Sequence, residues 1–150
     1  MQKPIDDTYI SSFLKNHNFA ILSTVNKDGL PDAAPIYFLS RDNFDIFFVT
    51  PSKTQKNTNM DFNNDVVLTI TNEATLETVS IRGKASQQED QLDAVLKGLA
   101  EKLNSTFNFV TTLPILKHED NPKITIKVKP YKIMMRKYAD DGLEEKIINI

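Results

Sequence analysis

Between Thr50 and Asn59 the chain reads TPSKTQKNTN, and it places hydroxyls and lysines between a strand-like run and a helix-like one. The apolar residues Ile46, Phe47, Phe48 and Val49 precede it, Ser52, Lys53, Thr54 and Lys56 follow at once, and a helix that begins about there is expected to carry Asn57, Asn59, Met60 and Phe62. A strand, a hydroxyl/lysine loop and a helix start together make an anion site suited to phosphate. The free N–H groups of a first helical turn point outward, the helix dipole adds positive potential, and a lysine adds a full charge. On residue types alone the same segment also reads as an ordinary Ser or Thr cap followed by surface lysines. No Gly-rich P-loop or dinucleotide fingerprint is present, so nucleoside triphosphates and NAD are not the expected ligands.

The elements that must position this loop follow from hydrophobic periodicity. Tyr9, Ile10, Phe13 and Leu14 recur at helical spacing, so Asp7 to about Asn16 reads as a helix capped by Asp6 or Asp7. Phe19 to Val25 reads as a strand, and Asn26 to Gly29 as hairpin chemistry. Pro31 to Ser40 is a second strand, pushed towards a sheet edge or bulge by Pro31 and Pro35, which cannot donate to a ladder. Phe44 to Thr50 is the third strand, Val66 to Thr71 the fourth, and Thr78 to Gln87 the fifth, with Gly83 marking a kink or close approach. Leu92, Val95, Leu96, Leu99 and Leu103 form one helical face. The stretch from Asn104 to Lys123, with Pro114 and Pro122, reads as irregular. Ile124, Ile126 and Val128 alternate as in a strand that Pro130 breaks. Tyr131 to Tyr138 continues it, and the tail frays or docks. The expected class is α+β and β-dominated: a six-stranded antiparallel split β-barrel with flanking helices, as one domain over residues 1–150.

Composition limits the function classes. With 150 residues, 40% hydrophobic, 25% charged and a net charge of −2, the chain can bury one real core and has no bulk attraction for nucleic acid. Zero cysteines exclude disulfides, Cys-ligated zinc and a thiol nucleophile. His17 and His118 stand apart without ligands at metal spacing, so no metal site is expected. There is no signal-peptide core and no apolar run long enough for a bilayer, so no membrane partner and a cytoplasmic location are expected.

The order of these signals resembles the pyridoxamine 5'-phosphate oxidase-like, FMN-binding split-barrel superfamily, and more closely its small general-stress-protein branch. The resemblance rests on Ala20, Leu22, Ser23 and Thr24, on Asp28, Gly29 and Pro31, and on Pro35 and Tyr37. It continues through Thr50, Thr54, Lys56 and Asn59 to Gly83 and Ala85. It implies a homodimer with FMN at the subunit interface. Lys56 would be the point charge on the phosphate, Thr54 and Ser52 the donors, and Lys53 a second cation. The flavin ring would lie along Pro35, Ile36 and Tyr37 and along Phe48, Val49 and Thr50, with Asn59 completing the motif.

Arg82 and Lys84 either add charge to an interface pocket or form the solvated face of a strand. The arginine-rich segments and the C-terminal Arg-Leu-x-Pro element of authentic pyridoxamine phosphate oxidases are replaced by SKTQK and EEKIINI, so oxidation of pyridoxamine phosphate is not implied. The tryptophan common in the branch's last strand is also absent, its space left to Met134, Met135 or Tyr138. The expected function is an FMN-dependent oxidoreductase using a small-molecule electron donor and acceptor, with no catalytic side chain assigned. The alternatives are a flavin store, sensor or electron carrier without turnover, or a split barrel that holds haem or a deazaflavin.

Overall fold

The computed structural model describes residues 3–107 and 121–150. It begins with α1 (Asp7–Lys15), whose N-cap is Asp6: the carboxylate accepts from the Tyr9 N–H at 2.8 Å. The helix buries Ile10, Phe13 and Leu14, the stripe its spacing predicts. In β1 (Phe19–Val25), Ala20, Leu22 and Thr24 turn inward while Phe19 and Ile21 stay exposed. The turn into β2 (Pro31–Tyr37) is held by the Asn26 side chain, which accepts from the N–H groups of Asp28 and Leu30, and Gly29 supplies a φ of +79°.

At Phe38 the chain leaves β1, and Leu39–Ser40 pairs as β3 with β4 (Ile46–Pro51) instead. The helix α2 (Gln55–Phe62), β5 (Asp65–Asn72) and β6 (Glu77–Gln88) come next. They are followed by α3 (Leu92–Phe107), β7 (Lys123–Ala139) and β8 (Gly142–Asn149). All pairings are antiparallel, in the order β2-β1-β5-β6-β7-β4-β3, with β8 added to the far half of β7.

The protein is thus α+β, β-dominated and a split barrel, but its sheet has eight strands where six were expected. The expected second strand is divided at Phe38, because its first part pairs with β1 and its last two residues with β4. The expected fraying tail is the strand β8, in register from Lys132↔Asn149 to Ala139↔Gly142. Pro130 does not end its strand. It sits opposite Gly83 at a bulge where Tyr131 is the extra residue, so its missing N–H interrupts nothing.

Inward residues of the strands, with Ile10, Phe13 and Leu14 of α1, fill one core. A second cluster, Val49 with Val95, Leu99 and Leu103, seats α3 on the outer side of β4. Gly83 lets β6 approach β7: a Cβ there would lie 2.6 Å from Val128 Cγ1 and 2.8 Å from the Lys129 carbonyl oxygen. Among the described residues no helix is long and apolar enough to cross a membrane.

Candidate functional site

The sheet leaves two edges open on either side of Phe38. Among the described residues β2 pairs with β1 alone, and β4 meets β3 only at Ile46 and Phe47. From Phe48 to Pro51, β4 has a partner on its β7 side and none on the other among the described residues. The split therefore runs between Pro35, Ile36 and Tyr37 on one edge and Phe48, Val49 and Thr50 on the other. Backbone groups on such edges are available to a planar heterocycle that hydrogen-bonds as a strand does. The side chains divide by face. Ile36 and Phe48 lie in the barrel core, Val49 lies under α3, and Thr50 is buried. Pro35 is exposed, and the half-buried Tyr37 packs its ring 4.5 Å from that of Phe19.

At the mouth of the split, β4 runs into the loop and then α2. Thr54 is the N-cap, its Oγ1 accepting from the Asn57 N–H at 3.4 Å. Asn57 is buried and donates its Nδ2 to the carbonyls of Pro51 and Ser52, both at 2.9 Å, which fixes the loop's curvature. Asn121 braces it from the other side. Its Oδ1 accepts from the Ser52 hydroxyl at 3.2 Å and the Lys53 N–H at 3.0 Å, while the Ser52 N–H reaches the Pro122 carbonyl at 2.7 Å. Ser52 thus directs its proton at Asn121, and Lys53 is exposed.

Lys56 stands in the first turn of α2, only partly exposed, and burial pulls its ammonium below the usual lysine range. Among the described residues it makes no ion pair; those that form join Lys15 with Asp42, Lys84 with Asp65, Lys127 with Asp45 and Arg136 with Glu145. It stands beside the first-turn N–H groups of Gln55 and Lys56, the kind of position that favours negative charge.

Asn59 faces the other way. It is 1% exposed, and its Nδ2 donates to Thr24 Oγ1 at 3.0 Å and Asp32 Oδ2 at 2.9 Å. Its Oδ1 accepts from Gln55 Nε2 at 2.8 Å, so the amide is fully engaged in tying α2 to β1 and β2. Lys84 pairs with Asp65, whereas Arg82 stands exposed opposite Lys132. His17 stacks on Phe13, and its Nδ1 lies 2.7 Å from the Phe13 carbonyl; His118 lies outside the described residues.

Asn57, Asn121 and Lys102 do structural work here that the sequence reading did not assign. Lys102 projects from α3 and donates to the carbonyls of Phe38 at 2.9 Å and Leu14 at 3.2 Å, with its Nζ 3.9 Å from the Phe38 ring centroid. It thereby holds the residue at which the sheet divides. Its signal was a lysine three positions after Leu99, on the helix's apolar face. Burial lowers its pKa to about 8.

No curated protein matches the sequence. Among solved structures, General Stress Protein 26 from Bacillus anthracis superposes with a TM-score of 0.68 at 20% identity, over 96% of this chain and 98% of that one. A protein named F420 reductase gives a TM-score of 0.68 at 20% identity, covering 82% and 94%. The haem storage protein HutZ from Vibrio cholerae gives 0.61 at 15%, covering 82% and 88%. At these identities the likeness shows a shared fold, one that relatives with different names all use. The family model for pyridoxamine 5'-phosphate oxidase matches residues 7–133, and the chain belongs to that family.

Proposed function

We propose that this protein binds FMN at the split and works as a flavin-dependent oxidoreductase on small molecules. The observation that carries this reading is Lys56: a partly buried cation with no counter-ion among the described residues, at a helix start that adjoins two strand edges unpaired among those residues. A dianionic phosphate there restores the charge balance that burial has disturbed, with the N–H groups of Gln55 and Lys56 as further donors, while Thr54 donates to the Pro51 carbonyl and caps Asn57. The open edges of β2 and β4 offer backbone donors and acceptors to the polar rim of the ring. Apolar contact would come from Pro35 and Tyr37. A bound flavin supplies hydride or electron transfer; the chain's own residues bind the phosphate, orient the ring and keep α3 closed over β4.

The same reading makes the protein a homodimer. Across the outer sheet face, Pro35, Ile21, Thr69, Ser80, Met134 and Ile147 lie in one cross-strand row with its two polar members in the middle, and Phe19, Ile21 and Ile147 are 46%, 44% and 42% exposed. Exposed apolar side chains on one sheet face support its use as a protein-binding surface.

The test is retention of FMN after desalting, followed by affinities of Lys56→Ala for FMN and for riboflavin. Loss of one charge-assisted contact should weaken FMN roughly tenfold to a hundredfold and leave riboflavin nearly unchanged. Equal affinity of both proteins for FMN would sink the phosphate assignment.

A further inference from the structure

A cavity of about 630 Å³ lies between α1 and the ends of β5 and β6, with Tyr9, Ser12, Phe13, His17, Asn72 and Glu77 in its wall. Glu77 opens β6 at the inward position that Val79 and Ile81 continue, so a carboxylate stands where strand alternation favours an apolar side chain. It is only 7% exposed. The Tyr9 hydroxyl donates to its Oε2, and Lys137 Nζ donates to the same hydroxyl oxygen at 3.0 Å. An ammonium can only donate, so the phenolic proton is committed to Glu77 and the carboxylate is held in one orientation. Its second oxygen, Oε1, accepts from no described residue, yet it is not sealed off and opens on the cavity. Lys137 is turned to Tyr9, and Glu77 forms no ion pair among the described residues. A buried carboxylate in this state is stabilised by a donor that also brings positive charge. His17 adds a second acceptor. Its Nδ1 lies 2.7 Å from the Phe13 carbonyl oxygen, which can only accept, so Nδ1 carries the proton and Nε2 of the neutral ring is left to accept.

We propose that this cavity binds a small primary amine carried on a flat apolar body. The ammonium donates to Glu77 Oε1, and the body lies against the rings of Tyr9 and Phe13 in the same wall. A guanidinium or amidinium fork needs both carboxylate oxygens, and Tyr9 already occupies one of them. One open oxygen is also too little to strip a hydrated divalent metal ion, whereas an ammonium needs one charge partner and further acceptors such as His17. An anionic ligand is disfavoured, because Asp6 and Glu77 oppose it and Lys3, the one lysine or arginine in the wall, is exposed. The volume falls within the range of small-ligand sites. None of the lining residues belongs to the split, so the site stands whether or not a flavin binds there.

Phenethylamine is a suitable probe, with 2-phenylethanol as its uncharged counterpart, followed by calorimetry and by amide chemical shifts of the full chain. Saturable binding of the amine is expected, with shifts centred on Ser12, Asn72 and Glu77. Glu77→Gln keeps the shape and the acceptor for Tyr9 but removes the charge, and it should weaken the amine about tenfold, the worth of one charge-assisted hydrogen bond. Ser12→Trp places an indole in the cavity from an exposed helix position, and it should abolish binding with circular dichroism unchanged, which decides the matter even if Glu77→Gln does not fold. No saturable binding, undiminished affinity in either folded variant, equal binding of the alcohol, or shifts centred elsewhere would each overturn the proposal.

Discussion

Replacing Lys102 with methionine tests how α3 is locked over the split. The ammonium is partly buried, and burial takes its pKa from 10.5 in an unfolded chain to about 8. That difference corresponds to about 3 kcal/mol of differential proton affinity. Below pH 8 the lysine is charged in both states, and the folded protein carries the whole desolvation cost. Between 8 and 10.5 the unfolded chain still binds a proton that the folded protein has released, so the lysine's contribution to stability rises with pH and is lost again as pH falls. The stability of the wild type minus that of Lys102→Met should therefore climb by about 3 kcal/mol across this window. Tyr9, raised chiefly by burial, and Lys137, raised chiefly by its hydrogen bond to Tyr9, also titrate in alkali. Both are present in the two proteins and cancel from the difference. Urea unfolding at steps from about pH 7 to 10 measures it. A flat difference would refute the account and mean that Nζ remains solvated.

Asn59→Ala removes the contacts of α2 to Thr24 and Asp32 and leaves Thr24 Oγ1 buried without that donor, so a loss of about 3 kcal/mol is expected in chemical denaturation. Gly83→Ala forces a methyl group into Val128 and the Lys129 carbonyl, and it should cost about 1–3 kcal/mol by the same assay. Ile21→Arg puts a charge onto the outer sheet face. Under the proposed homodimer, light scattering should report dimers for the wild type and monomers for the variant, with the secondary structure unchanged by circular dichroism.

Elements with one dominant period were legible from the sequence. The stripe of α1, the alternation of β1, the Asn-Lys-Asp-Gly turn and the helix opening at Thr54 all stand where their residues put them. The division at Phe38 was not legible, because the residues on both sides are equally strand-like and only the choice of partner changes. Pro130 misled for a related reason: a proline forbids a ladder hydrogen bond, but a bulge removes the need for one. β8 reads as a tail because it lies at the margin of the sheet and buries few of its side chains. In the loop, the types and spacing of Thr54 and Lys56 were enough to place the start of α2 and its N-cap. That Asn59 and Asn57 would be buried holding groups was not, since Asn59 finds Thr24 and Asp32 on distant strands and Asn57 depends on the curvature of its own loop, which brings Pro51 and Ser52 back to it.

The register of β4 also bears on how the chain comes to fold during synthesis. The hairpins β1–β2 and β5–β6 join neighbours in sequence and can form as they emerge, but Pro51 pairs with Lys123 and Ile46 with Val128. The Ser52 loop is likewise clasped by Asn121 and Pro122. Every ribosome-bound intermediate shorter than this therefore carries β4 without its main partner and the Ser52 loop without its brace. Long-range closures of this kind come late and set the folding rate. Closure of the sheet at β4 and bracing of the Ser52 loop are thus completed in the last steps of folding.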